Sequence, residues 1–282
     1  MLKVSKSGYY KYRQRDSQVS QKESLCIDKV KQYRNLLPET GTVKLWKMLQ
    51  KDNVKIGRQH LNDLLSRSNM LIKSKKRFCR TSISDGSKIY PNLLKGFIPN
   101  RKNQVWISDI TYIAKNGGFF YLFLLSDMYT RQIIDYVVSP DLKTKNHISM
   151  LKRQLKHQNI KNDLIHHTDH GSQYTSNETV KLLQNNTVKI SMTGPAKCLD
   201  NAIAERINGI LKHEQGLKRV FKSIDSLKAA TKSAVSLYNS TRLHQSLNYL
   251  TPDEFAVESA SKMNNQDLVA NQLNASSFEI MS

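Results

Sequence analysis

Residues 105–113 read V-W-I-S-D-I-T-Y-I, a β-rich run with an aspartate at its centre, and this stretch determines the predicted fold. Two similar runs follow, F-F-Y-L-F-L-L at 119–125 and R-Q-I-I-D-Y-V-V at 131–138. The Asn-Gly-Gly sequence at 116–118 is typical of a hairpin turn, and the polar segment 126–130 separates the second run from the third. The three runs therefore predict an antiparallel meander of three strands.

After the third strand, the chain alternates between helical and strand patterns. Strands are predicted at 163–167 and 188–192. Helices are predicted at 142–157, 177–184, 199–216 and 224–238. A meander followed by alternating helices and strands predicts an α/β fold, with a mixed five-stranded sheet flanked by helices.

The segment upstream of the sheet has a helical pattern. Between residues 20 and 70, apolar residues recur at three- and four-residue steps, which predicts several short helices. A turn is expected within residues 50–58, and the helix after it carries Arg58, Gln59 and Asn62 near its start. A recognition helix contacts bases from such positions, although any soluble helical hairpin also has a polar face.

These patterns divide the chain into four segments. We predict a small, all-helical region at 1–80, whose helix-turn-helix-like pattern would suit DNA binding, and a polar linker at 81–100. The α/β core is expected at 101–257, and a polar, disordered tail is expected at 258–282.

The composition favours a polyanionic partner. The 282 residues include 44 Lys and Arg against 23 Asp and Glu, a formal net charge of +21. Such an excess suits a phosphate backbone, but ribosomal proteins, repressors and membrane-surface proteins can be equally basic. Neither a long apolar run nor a secretory signal is found, so we expect a cytoplasmic protein without a membrane partner. The cysteines at 26, 79 and 198 match neither a disulfide framework nor a zinc-ligand pair, and we expect reduced thiols.

Three acidic residues stand where a carboxylate is unusual. Asp109 interrupts an apolar strand, Asp169 ends a strand just before Gly171, and Glu205 lies one turn into a helix. Each has an ordinary interpretation: a solvent-facing strand residue, a turn residue or a surface residue. Together, hard oxygen ligands on separate elements would suit Mg²⁺ or Mn²⁺, although their convergence does not follow from the sequence.

The same three places carry a resemblance to a known family. W-I-S-D-I-T-Y-I at 106–113, H-H-T-D-H-G-S-Q-Y-T-S at 166–176 and L-D-N-A-I-A-E-R-I-N-G-I-L-K at 199–212 resemble the motifs of the insertion sequence three family of transposases, in its second-reading-frame product. Asp169 and Glu205 are 205 − 169 = 36 positions apart, so 35 residues intervene, as in the D,D(35)E arrangement shared with retroviral integrases. The resemblance covers nearly the whole chain.

This resemblance implies a ribonuclease-H-like fold and an integrase-type catalytic core at 101–257. It implies that Asp109, Asp169 and Glu205 bind Mg²⁺ or Mn²⁺, as two ions. The enzyme would be a DDE-type polynucleotidyl transferase that cuts DNA at insertion-sequence ends and joins the freed 3′-hydroxyl to another phosphodiester. The residues expected to contact DNA are Lys212, Arg206, Asn201 and His167 in the core and Arg58, Gln59 and Asn62 in the N-terminal region.

The expected partners follow from the same resemblance. They are element ends and target DNA, further copies of the chain in a homo-oligomer on DNA, and the family's first-reading-frame product as a fusion or interaction partner. Zinc is not expected, because no His-His-Cys-Cys module is present. Two other functions stay open: a catalytically silent DNA-binding regulator or partner derived from a transposase, and a related nuclease without strand transfer.

Overall fold

The computed structural model describes residues 6–72, 90–157, 160, 163–193 and 202–262. The chain forms two compact units, residues 1–78 and 79–282. Within the described ranges, no helix has both the length and the apolar character needed to cross a membrane. The predicted linker and tail fall partly outside these ranges. Residues 252–262 are helical, so the predicted disordered tail begins with five residues that continue a helix.

The first unit contains the helices α1 (Lys6–Leu36), α2 (Thr42–Lys51) and α3 (Arg58–Arg67). The prediction of several short helices is wrong for α1, which is 31 residues long. Much of α1 consists of Lys, Arg, Gln and Glu, which have good helix propensity. The helix therefore extends well beyond the apolar positions that periodicity detects.

A small apolar core joins these three helices. It contains Cys26 and Val30 of α1, Leu45 and Leu49 of α2, and Leu61, Leu64 and Leu65 of α3. The members on each helix are three or four residues apart, or adjacent, and so form one buried stripe. Between α2 and α3, the indole Nε1 of Trp46 donates a hydrogen bond to the Ile56 carbonyl at 2.9 Å, which holds the connecting turn in place.

The second unit is built on one five-stranded sheet. Its strands are β1 (Val105–Lys115), β2 (Gly118–Asp127), β3 (Ile133–Ser139), β4 (Ile165–Thr168) and β5 (Lys189–Met192). The spatial order is β3-β2-β1-β4-β5, with antiparallel pairing on the β1-β2-β3 side and parallel pairing on the β1-β4-β5 side. The predicted mixed sheet of the ribonuclease-H-like fold is confirmed.

Helices cover both faces of this sheet. They are α4 (Thr144–His157), α5 (Ser172–Thr175), α6 (Asn177–Asn185), α7 (Ala202–His213) and α8 (Ile224–Ser240). Alternate side chains of β2 pack on opposite faces of the sheet. Leu122 and Leu124 pack with α7 and α8, while Phe123 and Leu125 pack with α4 and α6. A central strand that is buried on both faces explains the continuous apolar run in its sequence.

The pairing of β1 with β4 sets the position of the functional residues. The two strands run parallel, and Ile107 lies beside His167 in the register. Two residues further along each chain come Asp109 and Asp169. The sheet therefore brings two acidic residues that are 60 positions apart in the sequence to the same level.

Candidate active site

Asp109 lies in the middle of β1, paired with Leu124 of β2, and its side chain is partly buried. Burial raises the pKa of its carboxyl from 3.8 to about 7, and the negative charges of Asp169 and Glu205 add to the rise. Hydrogen bonds from the Ile110 backbone and the Asn208 side chain oppose it. Asp109 is therefore not the solvent-facing strand residue of the ordinary interpretation.

Asp169 follows β4 directly and shapes the turn that carries it. Its Oδ1 accepts a hydrogen bond from the Gly171 N–H at 2.9 Å. A Cβ atom at position 171 would lie 3.1 Å from that same Oδ1 and 3.2 Å from both Gln173 Oε1 and Tyr174 Cδ2. A side chain at Gly171 would therefore force these neighbours to shift, and Asp169 is at once a turn residue and a neighbour of Asp109.

Glu205 lies in the first turn of α7 and is exposed. The spacing of three and seven residues places Asn208 and Lys212 on the same face of this helix. Asn208 is buried, and its side-chain amide donates a hydrogen bond to Asp109 Oδ2. This bond joins α7 to β1 and brings the Glu205 carboxylate within electrostatic range of Asp109.

The three carboxylates form a suitable donor set for a hard divalent cation. In the described part of the chain, however, no three His, Cys, Asp or Glu side chains lie close enough together to enclose a metal ion. The negative charges of Asp169 and Glu205 contribute to the raised pKa of Asp109, and a cation between the carboxylates would offset that repulsion. Metal binding would therefore require the three side chains to move closer together.

Lys212 is partly buried on the same face of α7 as Glu205. Burial lowers the pKa of its ammonium group, and the nearby Asp109 carboxylate opposes this change. Lys212 therefore lies beside the acidic cluster. The neighbouring Arg206 is exposed, and its charge affects the pKa of Tyr238 in α8, so Arg206 also borders a different part of the surface.

One of the predicted DNA contacts in the core, His167, lies in the interior of the protein. His167 is fully buried in β4, with its Nδ1 2.8 Å from the Ser191 hydroxyl oxygen, so the prediction that it contacts DNA is wrong. A strand buried on both faces leaves it no accessible surface. Asn201 lies outside the described residues.

The three predicted contacts of the first unit lie on α3. Arg58 and Gln59 are exposed in its first turn, and the Gln59 side chain donates to Asp63 Oδ1 at 2.9 Å. Asn62 is partly buried, and its Oδ1 accepts a hydrogen bond from the Thr42 hydroxyl of α2 at 3.4 Å. Asn62 therefore supports the helix pair, whereas Arg58 and Gln59 face solvent.

Sequence reasoning assigned no role to two residues that border the acidic cluster, Asn208 and Tyr174. Asn208 could have been found from its helical spacing, since it lies three positions after Glu205. Tyr174 is buried in the short helix α5, and the charges of Asp109 and Asp169 affect its pKa. Nothing in the local sequence indicates that proximity, because it depends on how β1 and β4 pair.

Comparisons with known proteins agree with this architecture. The family model "Integrase core domain" matches residues 99–198, and a second model with the same description matches residues 186–252. A 31 kDa protein of insertion element IS600 from Shigella sonnei is 31% identical over 89% of this chain and 94% of its own length. Transposase InsF for insertion sequence IS3A of Escherichia coli is 26% identical over 90% of this chain and 91% of its own length.

Two further similarities complete the comparison. The transposase assigned to IS986/IS6110 of Mycobacterium tuberculosis is 30% identical over 76% of this chain and 80% of its own length. The catalytic core of bovine immunodeficiency virus (BIV) integrase superposes with a TM-score of 0.43 and 17% identity, covering 57% of this chain and 99% of that one. On the sequence matches, this chain belongs to the insertion-sequence transposases and is a DDE-type enzyme of the insertion sequence three kind.

Proposed function

We propose that this transposase cuts DNA strands at the ends of its insertion sequence and joins the freed 3′-hydroxyl to another phosphodiester, in steps that require a divalent metal. The observation that carries the proposal is the cluster of Asp109, Asp169 and Glu205, contributed by β1, the loop after β4 and α7. This arrangement suits metal binding or acid–base chemistry, since it places the charges of Asp169 and Glu205 close to the partly buried Asp109 and raises its pKa.

We propose that the metal is Mg²⁺ or Mn²⁺, as two ions held by Asp109, Asp169 and Glu205. When bound, the ions would make a water or a 3′-hydroxyl more acidic and stabilise the departing oxygen. Asn208 would orient Asp109 through its hydrogen bond. Lys212, beside the cluster, would bind a DNA phosphate and help to position the scissile strand.

The first unit would bind the terminal repeats of the element. Arg58 and Gln59 are exposed at the start of α3, from which a helix-turn-helix reader contacts base edges. The net charge of +21 would supply affinity for phosphates that does not depend on sequence. We further propose that the enzyme works in the cytoplasm as a homo-oligomer, because two DNA ends must be held together, and that the first-reading-frame product is a fusion or interaction partner.

The test is strand cleavage and joining on DNA that carries the boundaries of the element, with and without Mg²⁺. Wild type is compared with Glu205→Gln and with Glu178→Gln, a matched control that changes an exposed glutamate in the first turn of α6. We expect Glu205→Gln to bind DNA normally but to lose both reactions, while Glu178→Gln keeps them.

Three results would contradict the proposal. DNA binding without cleavage by wild type in Mg²⁺ would support the silent regulator. Cleavage that ignores element ends and is never followed by joining would support the related nuclease. Full activity of Glu205→Gln would remove Glu205 from the metal site.

A further inference from the structure

Tyr174 is a buried tyrosine with an unusual hydroxyl. It lies in α5, five residues after Asp169, and is 2% exposed. Within the described ranges, its hydroxyl oxygen is buried and has no hydrogen-bond partner. Because a buried hydroxyl without a partner is costly, phenylalanine would suit a purely structural position better. Packing alone therefore does not explain why this position carries a tyrosine hydroxyl.

The surroundings of Tyr174 hold its ring against the acidic loop. Its Cδ2 and Asp169 Oδ1 both border the point that a Cβ of Gly171 would occupy, at 3.2 and 3.1 Å. The ring also packs edge-on against His147 of α4, with 4.9 Å between ring centroids and 83° between ring planes. Helix α4 and the Gly171 turn thus keep the phenol at the border of the carboxylate cluster.

The charge environment keeps this phenol protonated. Burial raises the pKa of Tyr174 well above its ordinary value, and the negative charges of Asp109 and Asp169 raise it further. The neighbouring His147 is buried, and burial lowers its pKa to about 3, so it stays neutral. A tyrosine hydroxyl is protonated at working pH even without this shift, so Tyr174 can donate a hydrogen bond, and it lies within electrostatic range of two carboxylates.

We propose that Tyr174 is a positioning residue whose hydroxyl donates a hydrogen bond to the Asp109–Asp169 carboxylate pair when the pair closes around metal ions. The inference rests on the proposed metal requirement. Asn208 holds Asp109 from the α7 side, and Tyr174 serves the same pair from the α5 side. Loss of such a supporting donor typically lowers metal affinity or activity by about 10- to 100-fold.

The experiment compares full-length wild type, Tyr174→Phe and Tyr238→Phe. Tyr238 is a matched control because it is 1% exposed, and the charges that affect its pKa are those of Arg242, Arg131, Arg206 and Glu214. Two readouts are used: the rise in Tm as Mn²⁺ is titrated without DNA, and the Mg²⁺ concentration that gives half-maximal strand cleavage.

We expect Tyr174→Phe to need about tenfold more of either metal, a typical effect of removing a partner of a metal ligand. Its maximal rate should stay close to the wild-type value, and its Tm in EDTA should equal or exceed that of wild type, because the variant loses a buried hydroxyl that has no partner there. Tyr238→Phe should titrate like wild type. Identical titrations for Tyr174→Phe and wild type would overturn the inference, as would an equal loss of affinity in both variants. A wild type that responds to neither metal would instead overturn the metal requirement, and this inference with it.

Discussion

Replacing Asp109 with asparagine should stabilise the metal-free protein while it abolishes strand cleavage. The pKa of Asp109 is raised from 3.8 to about 7, so at pH 8 the folded chain holds a charge that its surroundings disfavour. A rise of about three units corresponds to roughly 4 kcal/mol at about 1.36 kcal/mol per unit. Because the side chain is only partly buried and can relax, we expect a gain of about 1–2 kcal/mol.

Asparagine should fit the site with little rearrangement. It has the shape of aspartate, and its amide oxygen can still accept the hydrogen bond that Asn208 now donates to Asp109. For a unit of this size, about 1–2 kcal/mol corresponds to a rise in Tm of roughly 2–8 °C.

The stabilisation should depend on pH in a defined direction. The folded state binds the Asp109 proton more tightly than the unfolded state, so wild type keeps its full stability below about pH 4 and loses this contribution as the pH rises through 7. The advantage of Asp109→Asn should therefore be largest at pH 8 and should disappear near pH 4.

Thermal unfolding in EDTA at pH 8 and pH 5, followed by circular dichroism, measures this difference. Asp225→Asn is the control, since that side chain is 86% exposed, and it should give no rise in Tm. Addition of Mn²⁺ should raise the Tm of wild type and leave that of Asp109→Asn unchanged. A variant that is less stable than wild type at pH 8, or equally more stable at both pH values, would refute the repulsive carboxylate cluster.

Three further predictions concern DNA binding and stability. Lys212→Gln should lower the cleavage rate. It should also reduce the slope of log affinity for DNA against log salt concentration by about one, because one phosphate contact is lost. An unchanged slope would show that Lys212 does not contact DNA. Replacing Arg58 or Gln59 with alanine should reduce the binding preference for element ends over other DNA by about 1–3 kcal/mol in competition assays. If the variant binds all DNA sequences equally more weakly, the residue contacts phosphates only. Glu214→Gln should lower the free energy of unfolding by about 3–5 kcal/mol, as measured by urea denaturation. The reason is that the buried Arg242 would lose the carboxylate that now lies 2.7 Å away. A decrease of less than about 1 kcal/mol in the free energy of unfolding would contradict this.

The sheet was predictable because its patterns are local. The apolar runs of β1 to β3 and the Asn-Gly-Gly turn predict the meander, and the observed strand ends lie within two residues of the predicted ones. Helix α1 was not predictable in full, because its polar half has helix propensity but no apolar stripe. The spacing of apolar residues reveals the part of a helix that packs against a core, but it does not reveal how far the helix extends beyond that part.

The site was predictable only in part, for a related reason. Asp109, Asp169 and Glu205 were proposed as site residues because a carboxylate is unusual at these places and because their spacing matches a family. The hydrogen bond from Asn208 to Asp109 joins residues 99 positions apart, and the place of Tyr174 depends on two parallel strands and a turn. His167 illustrates the converse error: it lies within the second-aspartate motif, yet strand pairing buries it completely.

The carboxylate cluster also shows why this fold can carry such a site. The parallel pairing of β1 and β4 brings Asp109 and Asp169 level, and α7 crosses β1 with Asn208 and Glu205 on the facing side. Two apolar cores, one on each face of the sheet, supply the stability that compensates for repulsion between the carboxylates. A protein selected for stability alone would place an apolar residue at position 109. The presence of an aspartate there, bound by a buried asparagine, is what the proposed cation chemistry requires.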